Sequence, residues 1–247
     1  MMEKAKAAAF QDNIKTAKKA ARANARLLLK GLSAAEREAQ SQKAAALFLN
    51  SSIYKSAECV AAFFSLADEV DAFPIIERAF IDKKRVLLPR IVAGSNAMDF
   101  YELAAPLGLA SDFSAAPVLG VESVSDNAAP VLGVESVPPR VPVLQTLFAQ
   151  TDVNAWGIRE PLPTLPLVSK DKIPARTAIL VPGLAFCKDG RRLGRGKGFY
   201  DRYLSELLAA NPAFAARGKI CGYCMAVQVA DTVPTEENDV RVQELFC

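Results

Sequence analysis

The chain is predicted to fold as an α/β protein, a single domain with a mostly parallel central sheet and helices on both faces. Three observations predict it. A short apolar run, Cys59-Val60-Ala61-Ala62-Phe63-Phe64, is followed by a helical segment over Pro74 to Asp82 and a second apolar run, Arg85-Val86-Leu87-Leu88. Two strands separated by a helix form a crossover unit, which makes the strands parallel and lays the helix on a face of the sheet. The runs are continuous rather than alternating, as in strands covered on both sides. Finally, 247 residues with 51% hydrophobic and 23% charged side chains can fill one substantial core, at a length where α/β domains commonly stay whole.

The other elements follow in chain order. Lys15 to Lys30 is built from Ala, Leu, Lys and Arg, strong helix formers, and Gly31 is a stop signal. Ser33-Ala34-Ala35-Glu36 has capping-box spacing, and Ala39, Ala46, Leu47 and Leu49 carry an amphipathic second helix to about Asn50. Between Ala104 and Gln150 the pattern dissolves into Pro, Gly, Ser and Val, and the nine residues Ala116 to Val124 recur unchanged at Ala129 to Val137. Two copies are too few for a solenoid, so this insert is read as a surface excursion or disordered loop that tolerates deletion. Regular structure resumes with a strand at Ala178 to Val181, stopped by Pro182-Gly183. A helix over Tyr200 to Ala210 and a strand over Ile220 to Val227 come next.

Composition excludes several classes of function. No run approaches the roughly 18 apolar residues of a membrane span, and 30 basic against 27 acidic residues give no bulk field for nucleic acid or an anionic membrane. The absence of histidine removes the commonest general base and transition-metal ligand. What remains is catalysis by carboxylates, by Lys and Arg, or by a hard metal ion on oxygen ligands. Five cysteines without framework spacing imply a reducing compartment. The first thirty residues hold eight basic and two acidic side chains, which suits a mitochondrial presequence or a helix with a solvated basic face. The second reading, and a cytoplasmic location, is the expectation. Cys221 and Cys224 have redox-motif spacing, but on a strand they point to opposite faces and are assigned to packing.

The chemistry is carried by the segment from Val181 through Arg192-Leu193-Gly194-Arg195-Gly196-Lys197-Gly198-Phe199-Tyr200-Asp201, which leads from a strand through a basic loop into a helix. Glycines at 194, 196 and 198 allow backbone amides to approach an anion, Arg195 and Lys197 neutralise it, and the following helix adds its dipole. The spacing matches neither a Walker A loop nor a dinucleotide-binding fingerprint. As glycine and cation punctuation alone, the loop is equally a solvated turn.

The whole string favours the phosphate site. Pro182-Gly183-Leu184-Ala185-Phe186 followed by Arg192 to Asp201 resembles the 5-formyltetrahydrofolate cyclo-ligase family, from whose pattern it departs chiefly at Phe199, where relatives carry Tyr. Lys18-Lys19-Ala20-Ala21-Arg22, Phe64 to Asp71, Leu88-Pro89-Arg90, Trp156 to Pro161 and Val233 to Asp239 also resemble family segments. Only the duplicated insert and the extreme N-terminus lack a counterpart. The resemblance implies an enzyme that uses ATP and Mg2+ to close 5-formyltetrahydrofolate, with or without a polyglutamate tail, into 5,10-methenyltetrahydrofolate, releasing ADP and phosphate. It implies ATP binding by Lys18, Lys19, Arg22 and Arg192 to Tyr200, including Leu193, Gly194, Gly196, Gly198 and Phe199. Catalysis is implied for Arg195, Lys197 and Tyr200. Asp201 and Asp239 are the implied magnesium ligands, and Phe64, Glu69, Trp156 and Tyr200 the implied folate contacts.

Each of these residues has a plainer reading. Lys18 and Arg22 suit a solvated helix face, Phe64 strand core, Glu69 and Asp201 helix-start acids, and Asp239 a tail residue. Gln243 stands where many relatives carry an acid. Two rivals compete with the cyclo-ligase: another ATP-using kinase or ligase, opposed by the Phe64 to Asp71 segment, and an RNA- or phosphoprotein-binding module. The small net charge and the lack of an aromatic stripe oppose RNA. A monomer without nucleic-acid or membrane partners is expected.

Overall fold

The computed structural model describes residues 2–106 and 141–247, and the duplicated nonapeptide lies outside them. Two helices open the chain, α1 (Met2–Gly31) and α2 (Ala34–Asn50). The capping box forms as expected, with Ser33 Oγ accepting from the Glu36 amide and the Glu36 carboxylate from the Ser33 amide. A short helix, α3 (Ser52–Ser56), leads into β1 (Cys59–Ala61), α4 (Phe73–Ile81), β2 (Arg85–Ile91) and β3 (Met98–Glu102). After the undescribed stretch come α5 (Val141–Ala149), β4 (Thr151–Val153), β5 (Arg159–Pro161) and β6 (Leu167–Val168). The chain continues through β7 (Thr177–Val181), β8 (Ala185–Phe186), β9 (Arg192–Leu193), α6 (Phe199–Ala210), α7 (Pro212–Arg217), β10 (Lys219–Tyr223) and β11 (Glu244–Phe246).

The seven-stranded sheet has the order β11-β10-β7-β1-β2-β3-β6. The first five strands are parallel, and β3 and β6 are antiparallel to their neighbours. Period-two alternation along the central strands sorts the core into two layers. Val60, Val86, Leu88, Ala178, Leu180 and Cys221 point to the face covered by α2 and α4. Cys59, Ala61, Leu87, Ile179, Val181 and Ile220 meet Tyr203, Leu204, Leu207 and Phe214 of α6 and α7 on the other. Cys221 and Cys224 fall into these opposite layers, and both thiols are raised, Cys221 by burial and Cys224 first by its hydrogen bond with Cys247. They are packing residues.

Several boundaries differ from the sequence reading. The first strand stops at Ala61 because Phe63 and Phe64 turn aside to wall a cavity, and the last predicted strand stops at Tyr223, with a 3-10 turn over Ala226–Gln228. The irregular stretch foreseen over Ala104 to Gln150 ends in a helix, α5, which buries Val143 and Leu147 one turn apart. Pro142 disguised it, although proline is well tolerated in a first turn. The strands β3 to β6 are short, and β3, β4 and β5 carry charged residues, so none announces itself.

One buried polar residue locks α7 to the rest. Asn211 Oδ1 accepts from the Phe214 amide at 2.9 Å, and its Nδ2 donates to Lys170 O and Ile173 O at 2.9 Å each. Asn211→Ala leaves two carbonyls and an amide without these partners, and is expected to cost about 2–3 kcal/mol. A fall in denaturant midpoint at constant slope would show it.

Candidate active site

Three parallel strands end at one place. Beyond their carboxyl ends Phe63 and Phe64 follow β1, Pro89 and Ile91 close β2, and Pro182 and Gly183 follow β7. All six line a cavity of about 380 Å³. Its opposite wall is the basic loop, through Gly194, Arg195, Lys197, Gly198, Phe199, Tyr200 and Asp201. The β4–β5 hairpin contributes Trp156, Ile158 and Arg159. Open α/β sheets place ligands at this position.

The loop is held from several sides. Strands β8 and β9 pair as a hairpin, and the Leu184 amide donates to Leu193 O at 2.7 Å. Leu193 itself is buried against Cys187 and Val233, so its contribution to any ligand is through its backbone. From α1, Arg22 Nε donates to Gly194 O at 3.0 Å. From the first turn of α6, Arg202 donates to Lys197 O at 2.5 Å and to Asn96 O. These arginines explain two of the glycines. Gly196 and Gly198 have φ of +105° and +69°; a Cβ on Gly196 would lie 3.3 Å from Arg22 Cζ, and one on Gly198 would lie 2.8 Å from Arg202 Nη1. At Gly194 neither constraint applies, since a Cβ would meet nothing within 4 Å.

The predicted site residues converge unevenly. Phe64, Glu69, Trp156, Arg192, Gly194, Arg195, Lys197, Gly198, Phe199, Tyr200 and Asp201 line the cavity; Lys18, Lys19, Arg22, Leu193, Gly196 and Asp239 are not part of its lining. Arg22 nevertheless packs on Gly194 and Gly196, whereas Lys19 is exposed on α1. Lys18 is buried, and its ammonium lies 2.6 Å from Asp239 Oδ2 and 3.0 Å from Glu236 Oε2, tying α1 to the 233–239 segment.

Arg195 bridges the two walls. Its Nε donates to Glu69 Oε1 at 2.9 Å and its Nη2 to Asp68 Oδ1 at 2.6 Å, while Glu69 Oε2 accepts from the Leu66 amide at 3.0 Å. The buried guanidinium of Arg192 donates to Asp201 Oδ1 and to Pro182 O. By contrast Arg22, Lys197 and Arg159 form no ion pair among the described residues. These are cations available to a ligand.

Tyr200 presents a buried hydroxyl that has no hydrogen-bond partner among the described residues. Burial, and secondarily the Glu69 carboxylate, holds its phenol above the ordinary range. It is therefore a neutral donor at working pH and not a base. An orphaned donor in a cavity wall is what a polar ligand satisfies.

Asp201 and Asp239 each keep one carboxylate oxygen free. Asp201 Oδ1 accepts from Arg192 and from the Val240 amide at 3.2 Å, and Asp239 Oδ2 from Lys18 and the Glu236 amide. Among the described residues, Oδ2 of Asp201 and Oδ1 of Asp239 take no such bond. The Val240 contact brings Asp201 to the neighbour of Asp239. Among the described residues no group of three or more His, Cys, Asp or Glu could hold a metal. Two carboxylates with an incomplete set suit Mg2+, which keeps waters and shares phosphate oxygens.

Asp68, beside the cavity, and the lining residues Met98, Arg159 and Glu160 were given no role by the sequence reading. Asp68 adjoins Glu69 and reads as a turn acid. Met98 and Arg159 carry no local signal. Glu160, almost wholly buried, has its carboxyl pushed up by burial, against hydrogen bonds from the Ile91 amide and Asn154.

The sheet and the cavity at its strand ends define the class, an α/β enzyme with its site at a topological edge of a parallel sheet. The model of the 5-formyltetrahydrofolate cyclo-ligase family matches residues 14–247. A probable 5-formyltetrahydrofolate cyclo-ligase of Caenorhabditis elegans is 27% identical over 233 residues, 94% of this chain and 93% of that one. The 5-formyltetrahydrofolate cyclo-ligase of Mus musculus is 27% identical over 237 residues, covering 94% of each. The solved structure of Aquifex aeolicus 5,10-methenyltetrahydrofolate synthetase shares the fold, with a TM-score of 0.60 at 24% identity over 92% of this chain and 88% of that one. The chain belongs to the 5-formyltetrahydrofolate cyclo-ligase family.

Proposed function

We propose that the protein converts 5-formyltetrahydrofolate into 5,10-methenyltetrahydrofolate, with ATP cleaved to ADP and phosphate and Mg2+ required. The observation that carries this reading is the meeting of Phe64, Glu69, Tyr200 and the glycine-arginine loop around one cavity. In this reaction the formyl oxygen attacks the γ-phosphorus as the bond to ADP breaks, giving an imidate phosphate. N10 then adds to the activated carbon, loses its proton to water and expels phosphate, which leaves the methenyl cation. No protein nucleophile is required, in keeping with a chain that has no histidine.

Glu69, oriented by the Leu66 amide and Arg195, accepts hydrogen bonds from the amino and ring N–H groups of the pterin. Phe64 supplies an apolar wall. Tyr200 donates its unpartnered hydroxyl to an oxygen at the reacting centre. Lys197 and Arg22, without carboxylate partners, neutralise the phosphates, and Arg195 joins the nucleotide wall to the folate wall. Asp201 and Asp239 would hold Mg2+ through their free oxygens, and the ion would supply charge neutralisation on the phosphates.

Protein mixed with ATP, Mg2+ and 5-formyltetrahydrofolate is expected to develop the near-ultraviolet absorbance of the methenyl product. Omission of nucleotide or chelation of the metal is expected to abolish it. A folded protein that gives no signal with all three present would refute the reading.

A further inference from the structure

On the β4–β5 hairpin, Val153 pairs with Arg159 and Asp152 with Glu160. Glu160 turns toward β2, where it accepts from the Ile91 amide, and the alternation of the strand sends Arg159 to the other side. There the guanidinium lies with its Cζ 4.5 Å from the ring centroid of Phe148 and 6.0 Å from that of Phe64. Phe148, on α5, is 48% exposed, so this stack stands at the mouth of the cavity, whose lining includes Arg159 and Phe64. Among the described residues, of its five N–H donors only Nη1 is engaged, at 3.1 Å with Thr151 Oγ1 and at 3.5 Å with Thr151 O. Both acceptors are neutral. The nearby Asp152 is taken by Arg90 at 2.8 Å.

We infer that Arg159 is the anchor for the carboxylates of the substrate's glutamyl tail, an assignment that rests on the proposed folate reaction. Folates are polar at the pterin, apolar at the aminobenzoyl ring and anionic at the tail. The cavity lining offers the same three kinds of group: the Glu69 carboxylate, apolar side chains that include Ile91, Met98 and Phe199, and the Arg159 guanidinium, whose Cζ lies near two aromatic rings. The Nε and Nη2 of the guanidinium, which the Thr151 contacts leave unused, are donors of the kind suited to bidentate capture of a carboxylate. Arg159 comes from the β4–β5 hairpin, whereas Arg22 and Lys197 belong to α1 and the glycine loop. It therefore serves a second anionic group.

The test compares KM and kcat for 5-formyltetrahydrofolate and for 5-formyltetrahydropteroate, which lacks the glutamate. The wild-type protein is expected to show a KM about 10- to 100-fold higher for the truncated substrate, the effect of one charge-assisted pair. Arg159→Met should raise KM for the glutamylated substrate by a similar factor at nearly constant kcat, and leave the truncated substrate unaffected. Arg159→Lys should fall between. Equal losses on both substrates would reduce Arg159 to a structural residue, and a wild type indifferent to the tail would overturn the inference even if Arg159→Met fails to fold. A wild type inactive on both would refute the proposed reaction itself, and the inference with it.

Discussion

Arg195→Ala is expected to lower kcat/KM about 1,000-fold, in the range observed when a donor is removed from a preorganised charge-stabilising site or from a phosphoryl-transfer site. Among the described residues, Arg195 is the side chain that ion-pairs the glycine loop to the Asp68–Glu69 segment, with Glu69 at 2.9 Å and Asp68 at 2.6 Å. Without it the loop loses its tie to that segment, and among the described residues the Glu69 carboxylate keeps only the Leu66 amide. Stability should respond far less. The guanidinium is a third exposed, as is the Asp68 partner, so solvent screening holds the cost to about 1–2 kcal/mol. Steady-state kinetics beside a thermal melt separates the two effects; a loss of stability large enough to account for the loss of activity would contradict a catalytic role.

Gly190→Ala is expected to do the reverse, removing stability before chemistry. Gly190 closes the turn of the β8–β9 hairpin, where its amide donates to Cys187 O and its carbonyl accepts from the Val242 amide, each at 2.9 Å. Its φ is +87°, and a Cβ would lie 2.2 Å from Val242 O, a backbone atom that cannot swing aside. Left-handed backbone strain and the forced displacement add to about 3–5 kcal/mol. Because the hairpin leads directly into the basic loop, the surviving folded fraction should also bind nucleotide more weakly. A melting temperature within a degree or two of wild type would show that the turn relaxes freely.

The contrast between these two residues marks what the sequence could disclose. Gly196, Gly198 and Arg195 were legible because their motif spans consecutive positions. The parallel sheet was legible because the apolar runs at Cys59 and Arg85 bracket a helix, and the runs at Ala178 and Ile220 repeat the pattern. Partnerships across long separations were not legible. Nothing in the local pattern says that Lys18 reaches Asp239, 221 residues away, or that Arg195 reaches Glu69, 126 residues away. Such pairs are fixed by the order in which parallel strands assemble, which sets their neighbours only after folding. Arg159 shows the same limit, since its importance lies in what faces it: Phe148 from a helix hidden behind a proline, and Phe64 from the end of β1. Gly194 is the opposite case. The sequence marked it with its two neighbours, yet the chain's own packing makes no demand for glycine there.

The most direct test is a structure of the protein with a nonhydrolysable ATP analogue and Mg2+. The triphosphate is expected against the amides of residues 194–198, with Lys197 and Arg22 within hydrogen-bonding reach and the metal on the free oxygens of Asp201 and Asp239. A triphosphate seated elsewhere, with that loop untouched, would contradict the account.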